Sequence, residues 1–319
     1  MSVASDSMDT AVDSHGSDGS TTAGPPILVV LVLYQRCETF NSPSLTSFLN
    51  ALDKSGLKSS FRIFIYDNSP FKSKLPDSFP IPFQYFHDPG NGGLFRAYTA
   101  ALQLAEKNGH EWLLLLDQDT VLDVHYLETL RSALVKTASN SRCAALVPKL
   151  LSKQRIISPT RVYWGGWTFP VKTTFAGYPR WEIMALNSGT LLRISAIRAL
   201  GGLEPKFWLD YLDHWLFNRL QAAGHLINVL DTALPHSLSV KKMSSVSIAR
   251  YRNILSAEGE FYRCCKSRGE NLVYYFKLII RLCKMCVIPG RYKFFLPTLE
   301  HFSTHVRQQK PSIDRSRIL

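Results

Sequence analysis

No run of this sequence stays apolar for the roughly 18 residues that a bilayer-spanning helix needs. The nearest, Leu272 to Val287, is interrupted by Lys277, Arg281 and Lys284, so it is suited to lying on a surface rather than crossing one. Before Ile27 there is neither the basic n-region nor the apolar h-region of a secretory signal. Residues 1–26 hold four Asp and no Lys or Arg among Ser, Thr and Gly, without hydrophobic period, which predicts a disordered leader. Cysteine is sparse: Cys37, Cys143, Cys264, Cys265, Cys283 and Cys286 are scattered, and only the last two have a CxxC spacing. No second pair or nearby histidine completes a zinc site, and no βαβ pattern precedes that pair as in redox folds. On a helix positions 283 and 286 share a face, which predicts two buried thiols in a reduced, cytoplasmic chain. Zinc-finger, basic-zipper and RRM signatures are also missing, so the net charge of +12 does not point to nucleic acid.

What is present suffices for a large folded domain: 319 residues, 45% hydrophobic and only 19% charged. The basic residues gather in the last third. There Arg281, Lys284, Arg291 and Lys293 alternate with Leu, Ile, Met and Phe, as at the inner face of an anionic membrane, where the chain would attach peripherally. Packing against the domain or a homodimer contact would use the same segment.

Ile27 to Leu33 is a continuous run of Ile, Leu and Val, the pattern of a strand buried on both faces of a mainly parallel sheet. Ser44 to Ser55 then reads as a helix, Phe61 to Tyr66 and Phe83 to Phe86 as strands, Leu94 to Asn108 as a helix, and Trp112 to Leu116 as a strand. This alternation predicts a doubly wound α/β sheet, whose ligand sits beyond the carboxyl ends of the strands. Those ends carry Tyr34, Asp67-Asn68, Gly90-Asn91-Gly92-Gly93 and Asp117-Gln118-Asp119, four polar clusters on one edge. After Ser141 a strand over Ala144–Val147, a loop region with Trp164 to Trp181, a strand over Ala185–Ile194 and helices over Ser195–Ala199, Leu212–Ala223, Tyr251–Arg268 and Asn271–Val287 are expected.

Two carboxylates one residue apart at a strand end can grip Mg²⁺ or Mn²⁺, directly or through water, and so bridge a diphosphate; otherwise they are solvated turn residues. Asp67 and Asn68 can meet a base or ribose, or simply shape a turn. The glycine loop lets backbone approach a ligand, with Arg96 adding positive charge on the helix that follows, but it lacks the GK[ST] ending and the GxGxxG spacing. Asp213 stands in the first turn of a helix, where the dipole keeps it ionised as a general base; capping by Asp210 or Asp213 is the plainer alternative. Trp164, Trp167 and Trp181 among glycines are placed to stack on a sugar or to pack loops. His236 is a single loop histidine.

In this order the motifs resemble glycosyltransferase family 2, with the GT-A fold, and within it the rhamnosyltransferase-like branch. The likeness spans roughly Ile27 to Arg263. It rests on the first strand running into Tyr34, on Asp67-Asn68-Ser69, Asn91-Gly-Gly93, Leu115-Leu-Asp-Gln-Asp-Thr120, Asn187-Ser188-Gly189-Thr190, Phe207-Trp-Leu-Asp210-Tyr-Leu-Asp213 with Arg219, His236, and Tyr251-Arg-Asn253. The resemblance implies a GT-A, Rossmann-like, doubly wound sheet over residues 27–240, halved at 123/124 into nucleotide and acceptor parts, then a basic helical appendage over 241–319. It implies metal-assisted, inverting transfer of rhamnose or another hexose from a nucleotide-diphosphate sugar to a glycan or lipid-linked acceptor. Asp213 would be the base. Asp119, with Asp117 and His236, would hold the metal; Tyr34, Asp67, Asn68, Asn91, Gly93, Arg96 and Asp117 would bind the nucleotide; Trp164, Gly165, Gly166, Ser188, Gly189 and Asp210 would face the acceptor. The branch often has an acidic residue two positions after its helix aspartate, where this chain has Trp215. A nucleotide-sugar-binding protein without catalysis, or a nucleotidyltransferase, shares the sheet and the acidic pair.

Overall fold

The computed structural model describes residues 27–35, 42–75, 79–236, 246–288 and 290–308. The leader before Ile27 and the 240/241 boundary fall outside them. The described residues divide into two compact units, one within Met1–Val162 and Thr168–Ser239, the other within Tyr163–Trp167 and Val240–Leu319.

The first unit is an α/β sheet. Its elements in chain order are β1 (Ile27–Leu33), α1 (Pro43–Ser55), β2 (Phe61–Asp67), β3 (Phe83–His87), α2 (Gly93–Lys107), β4 (Trp112–Asp117), α3 (Val124–Thr137) and β5 (Cys143–Ser152). Then come β6 (Arg155–Ser158), β7 (Thr160–Tyr163), β8 (Trp167–Pro170), β9 (Ile183–Met184), β10 (Thr190–Arg193), α4 (Ile194–Ala199), α5 (Leu212–Ala222) and β11 (Leu226–Pro235). The main sheet runs β11-β5-β10-β4-β1-β2-β3, with β6 paired to β5, and a small sheet runs β8-β7-β9. β1, β2, β3 and β4 are mutually parallel, as are β5 and β11, while β10 enters antiparallel between β4 and β5.

Every residue of β1 is buried, as its unbroken apolar run predicts. Its odd-numbered side chains, Val29 and Leu31, share a core with Phe48 of α1 and Leu127 and Leu130 of α3. The opposite face of β1 is buried too, and α2 packs on β1 and β4, so helices cover both faces of the sheet. Leucine is a helix former, yet Leu113–Leu116 are a strand because burial on both faces outweighs propensity. Helix α1 starts at a Ser42 cap with Pro43 behind it and ends at Gly56 in the left-handed region.

Several elements differ from expectation. Helix α3 was not anticipated; Asp123 caps it by accepting from the Tyr126 N–H at 2.8 Å. The strand expected over 185–194 is only four residues long, because Asn187-Ser188-Gly189 turns first: Thr190 N–H donates to the Asn187 carbonyl, and Gly189 has φ +74°. The region after Val147 expected to be loop, with Trp164 to Trp181 in it, instead continues β5 to Ser152 and then carries four short strands, β6 to β9.

The second unit holds α6 (Ile248–Cys265), α7 (Arg268–Val287) and α8 (Phe295–Gln308), the last within the segment expected to be helical but not itself assigned a range. Ser267 and Glu270 form a capping box at the start of α7. Inside, the Tyr262 and Tyr274 rings stack at 4.2 Å, and Arg281 donates to both carboxylate oxygens of Glu258 at 2.7 and 2.9 Å. Cys283 and Cys286 are exposed, contrary to the expected burial. The buried face of α7 is Asn271, Tyr274, Leu278 and Met285, and the two thiols lie off it.

Glu258→Gln leaves the Arg281 guanidinium without its counter-charge in this interior. Urea unfolding is expected to show a loss of about 3 kcal/mol, with the helical unit melting first.

Candidate functional site

Register alone brings the carboxyl ends together. Leu33 pairs with Asp67, Val32 with Asp117, and Asp67 with His87, so the loops after β1, β2, β3 and β4 leave the sheet at one edge. Just past that edge the Tyr34 N–H donates to the Gln118 side chain at 3.0 Å, and the Gln35 N–H to Ser69 Oγ at 2.9 Å.

The Asp117-Gln118-Asp119-Thr120 loop is held by the hydroxyls of Ser44 and Ser188 from elsewhere in the chain and by its own Thr120. Ser44 at the start of α1 donates to the Asp117 carbonyl and accepts from the Thr120 N–H at 2.8 Å. Ser188, in the turn before β10, accepts from the Asp117 N–H at 3.1 Å. Thr120 Oγ1 then lies 2.6 Å from Ser188 Oγ and 2.7 Å from Nδ1 of His236, which follows β11. His236 therefore presents Nε2, not Nδ1, to any ligand. Gly189 donates its N–H to the Leu115 carbonyl at 2.8 Å and accepts from the Tyr126 hydroxyl at 2.7 Å. Ser188 and Gly189, expected to face an acceptor, thus brace the end of β4.

Electrostatics locate Asp213 at the same place. The Asp117 carboxyl is pushed up to about 7, first by burial, then by the charges of Asp213 and Asp119. The buried Tyr98 phenol is raised by burial and then by the same Asp117 and Asp213. His236 is lowered by burial, with Asp119 acting against that. Asp117, Asp119, Asp213 and His236 therefore share one neighbourhood. Asp213 lies in the first turn of α5 and accepts from the His214 N–H at 2.8 Å, with His214 Nδ1 2.9 Å from the same oxygen. The cap position of α5 is neither aspartate but Tyr211, in the left-handed region at φ +63°. Asp210 is half-buried just before it. Trp215 is buried and packs against Phe207, so an acidic side chain at that position would point into the core rather than at a substrate.

Asp67 is wholly buried and its carboxylate is taken up by its own chain. It accepts from the Ser69 and Ser73 N–H groups at 2.9 and 3.0 Å and from the Tyr85 hydroxyl at 2.7 Å. Burial pushes its pKa up, but these bonds outweigh it and hold the group below the ordinary carboxylate range. Asn68 donates to the Gly93 carbonyl at 3.4 Å, and its side-chain oxygen has no partner among the described residues.

Asp88, which the sequence reading passed over, organises the glycine loop: it accepts from the Gly90 and Gly92 N–H groups at 3.0 Å each and from the Tyr66 hydroxyl at 2.8 Å. Its signal was there, an aspartate followed by a Pro-Gly turn. Asn91 and Gly93 both have positive φ, and a Cβ on Gly93 would collide with the Trp208 carbonyl and ring. Phe95 N–H donates to that same carbonyl at 2.9 Å. The loop and the Phe207-Trp-Leu-Asp210 element are therefore in backbone contact. Arg96 is exposed on α2, 4.0 Å from Asp88.

Trp164, Gly165 and Gly166 belong to the helical unit. The Tyr262 hydroxyl donates to the Gly165 carbonyl at 3.2 Å, and a Cβ on Gly166 would run into that hydroxyl. Both glycines have positive φ, so packing and backbone account for them without a sugar. Trp164 is 70% exposed.

A divalent cation suits this chemistry in one form only. Among the described residues no three His, Cys, Asp or Glu side chains are placed to hold a metal by themselves. Mg²⁺ and Mn²⁺ commonly take one or two carboxylates and complete their shell with water and substrate phosphates. The mutual repulsion recorded in the raised Asp117 carboxyl fits such a partial site.

No protein-family model matches the chain, and no curated protein matches it. Solved structures do. A fragment of S. aureus TarS, residues 1–349, is 14% identical with a TM-score of 0.47 over 89% of this chain and 92% of that one. The same fragment in complex with UDP is 15% identical, with a TM-score of 0.46 over the same shares. The mannosyltransferase PcManGT from Pyrobaculum calidifontis, in complex with GDP-Man and Mn²⁺, is 12% identical, with a TM-score of 0.49 over 91% of this chain and 79% of that one.

Two outcomes follow from this geometry. Between the ordinary carboxylate value of 3.8 and about 7, the folded chain keeps a proton on Asp117 that the unfolded chain releases. Ligand-free stability therefore falls as pH rises through that window. Asp117→Asn should flatten the slope and raise stability at pH 8 by about 1–3 kcal/mol, read by unfolding curves at pH 5 and pH 8. Thr120→Val removes the hydroxyl between Ser188 and His236, and thermal melting should show a loss of about 1–3 kcal/mol.

Proposed function

We propose that the chain is an inverting glycosyltransferase of the GT-A kind, moving a hexose from a nucleotide-diphosphate sugar to a hydroxyl of a glycan or lipid-linked acceptor. The observation that carries this reading is the carboxylate trio: Asp117 and Asp119 at the end of β4, with Asp213 near enough to raise the Asp117 carboxyl.

Asp213 is the base. It takes the acceptor hydroxyl's proton as that oxygen bonds to the anomeric carbon and the bond from that carbon to the diphosphate oxygen breaks. His214, bonded to one Asp213 oxygen, fixes the carboxylate and leaves the other oxygen for the acceptor. Asp119 and Asp117 would supply the carboxylates of a partial Mg²⁺ or Mn²⁺ site, with Nε2 of His236 as a contact to phosphate, and the ion would supply positive charge to the departing diphosphate. Tyr34, Asn68 and the loop at Asn91–Gly93 form the nucleotide side, with Arg96 adding charge toward phosphate. Asp67 acts there through the turn it shapes. Asp210 would lie toward the acceptor, while Ser188 and Gly189 act by bracing the end of β4. Rhamnose is one candidate donor sugar; the residues named do not discriminate among hexoses.

Incubation with a panel of UDP-, GDP- and dTDP-sugars and Mn²⁺ is expected to release free nucleoside diphosphate and no pyrophosphate. Asp213→Asn and Asp119→Ala should each lower that release roughly 10²–10⁴-fold with an unchanged circular dichroism spectrum. Nucleotide-sugar binding without any release would favour a non-catalytic binding protein, and pyrophosphate from nucleoside triphosphates a nucleotidyltransferase.

A further inference from the structure

Among the described residues, one helix face of the second unit has no partner. On α7, Leu272, Phe276, Ile279, Ile280 and Val287 are all exposed, Phe276 at 58% and Val287 at 80%. Their spacing of three, four and eight residues places them in a single stripe along about four turns. The buried residues of the same helix, Tyr274, Leu278 and Met285, lie on the other side. Five large apolar side chains in a row on one exposed face are more than scattered surface hydrophobics and mark a docking surface.

Charge identifies what docks. Residues 240–319 contain 16 Lys and Arg against 5 Asp and Glu, so +11 of the chain's formal +12 falls within this quarter of the sequence. On α7 itself the only acidic residue is Glu270, and it is occupied by the capping box. Arg268 and Lys284 are exposed toward the two ends of the stripe. An apolar stripe bounded by cations suits a surface that is greasy beneath and anionic on top. The helix cannot go further in: no described helix is long and apolar enough to cross a membrane.

We propose that α7 lies in the headgroup layer of an anionic membrane, with Phe276, Ile279 and Ile280 inserted and Arg268 and Lys284 on acidic lipid headgroups. This goes beyond the catalytic reading and does not depend on it.

Flotation of the full chain with phosphatidylcholine vesicles, and with vesicles containing about one-third phosphatidylserine, reads the proposal directly, since anionic lipid adds attraction for each basic residue near the surface. The expected result is binding to the anionic vesicles only, falling at least fivefold when salt is raised from 0.1 to 0.5 M. Phe276→Glu/Ile280→Glu should lower the bound fraction at least tenfold, and Arg268→Glu/Lys284→Glu by a similar factor. All four side chains are solvent-facing in the free protein, and circular dichroism of both variants should match the parent. Equal binding to neutral and anionic vesicles, no binding to either, or full binding by the glutamate variants would overturn the proposal. So would a dimer in analytical ultracentrifugation that Phe276→Glu/Ile280→Glu converts to monomer, because the stripe would then be an interface between copies. Release of nucleoside diphosphate is measured separately without vesicles, so loss of membrane binding and loss of catalysis cannot be confused.

Discussion

Carboxylates crowded at the end of a buried strand constrain most of what surrounds them. Asp117 leaves β4 with burial and two like charges acting against its ionisation. A folded chain tolerates that only where rigid neighbours prevent the loop from swinging into water. Here the restraint comes from hydroxyls: Ser44 from α1, Ser188 from the turn before β10, and Thr120 from within the loop, the last tied to His236. Each is buried and donates or accepts without carrying charge, so the loop is fixed by neutral groups.

The glycine loop follows the same logic with an acid as organiser. Asp88 gathers the Gly90 and Gly92 amides, and Gly93 lets the backbone of Trp208 come to within contact. The loop after β3 and the segment leading into α5 are consequently joined, and α5 carries Asp213. The glycine loop and Asp213 are therefore linked through backbone rather than through long flexible side chains, which limits how far one can shift against the other.

Much of the sheet was legible beforehand because β1 and β4 are buried on both faces and read as unbroken apolar runs ending at polar clusters, and β2 does so but for the exposed Arg62. The acidic motif was legible for the same reason: Asp117 stands at the point where such a run stops. Less legible was anything set by contacts distant in sequence. Helix α3 has an ordinary cap at Asp123 but follows the acidic loop so closely that the turn hid it. The exposure of Cys283 and Cys286 depends on which side of α7 meets α6 and α8, and a shared helical face gives no information about which way that face points. Asp67 looked free to bind a ligand because Tyr85 and Ser73, which occupy it, lie 18 and 6 residues away. Trp215 looked like a departure from a catalytic pattern, and its burial against Phe207 makes it a packing residue.

Strand β10 has an implication for how the chain is made. It is four residues long, and its pairing with β4 joins Thr190 to Leu115, about 75 positions apart in sequence. At the ribosome β4 emerges first, and the edge it will share with β10 stays open until that much more chain has followed. An apolar edge, Trp112 to Leu115, exposed over that interval is where a nascent strand from another molecule would pair. Placing Asp117 at the end of β4 thus ties its final surroundings to a seam that closes late, followed by the β5–β11 seam, and a chaperone that shields nascent β edges would act at this stage.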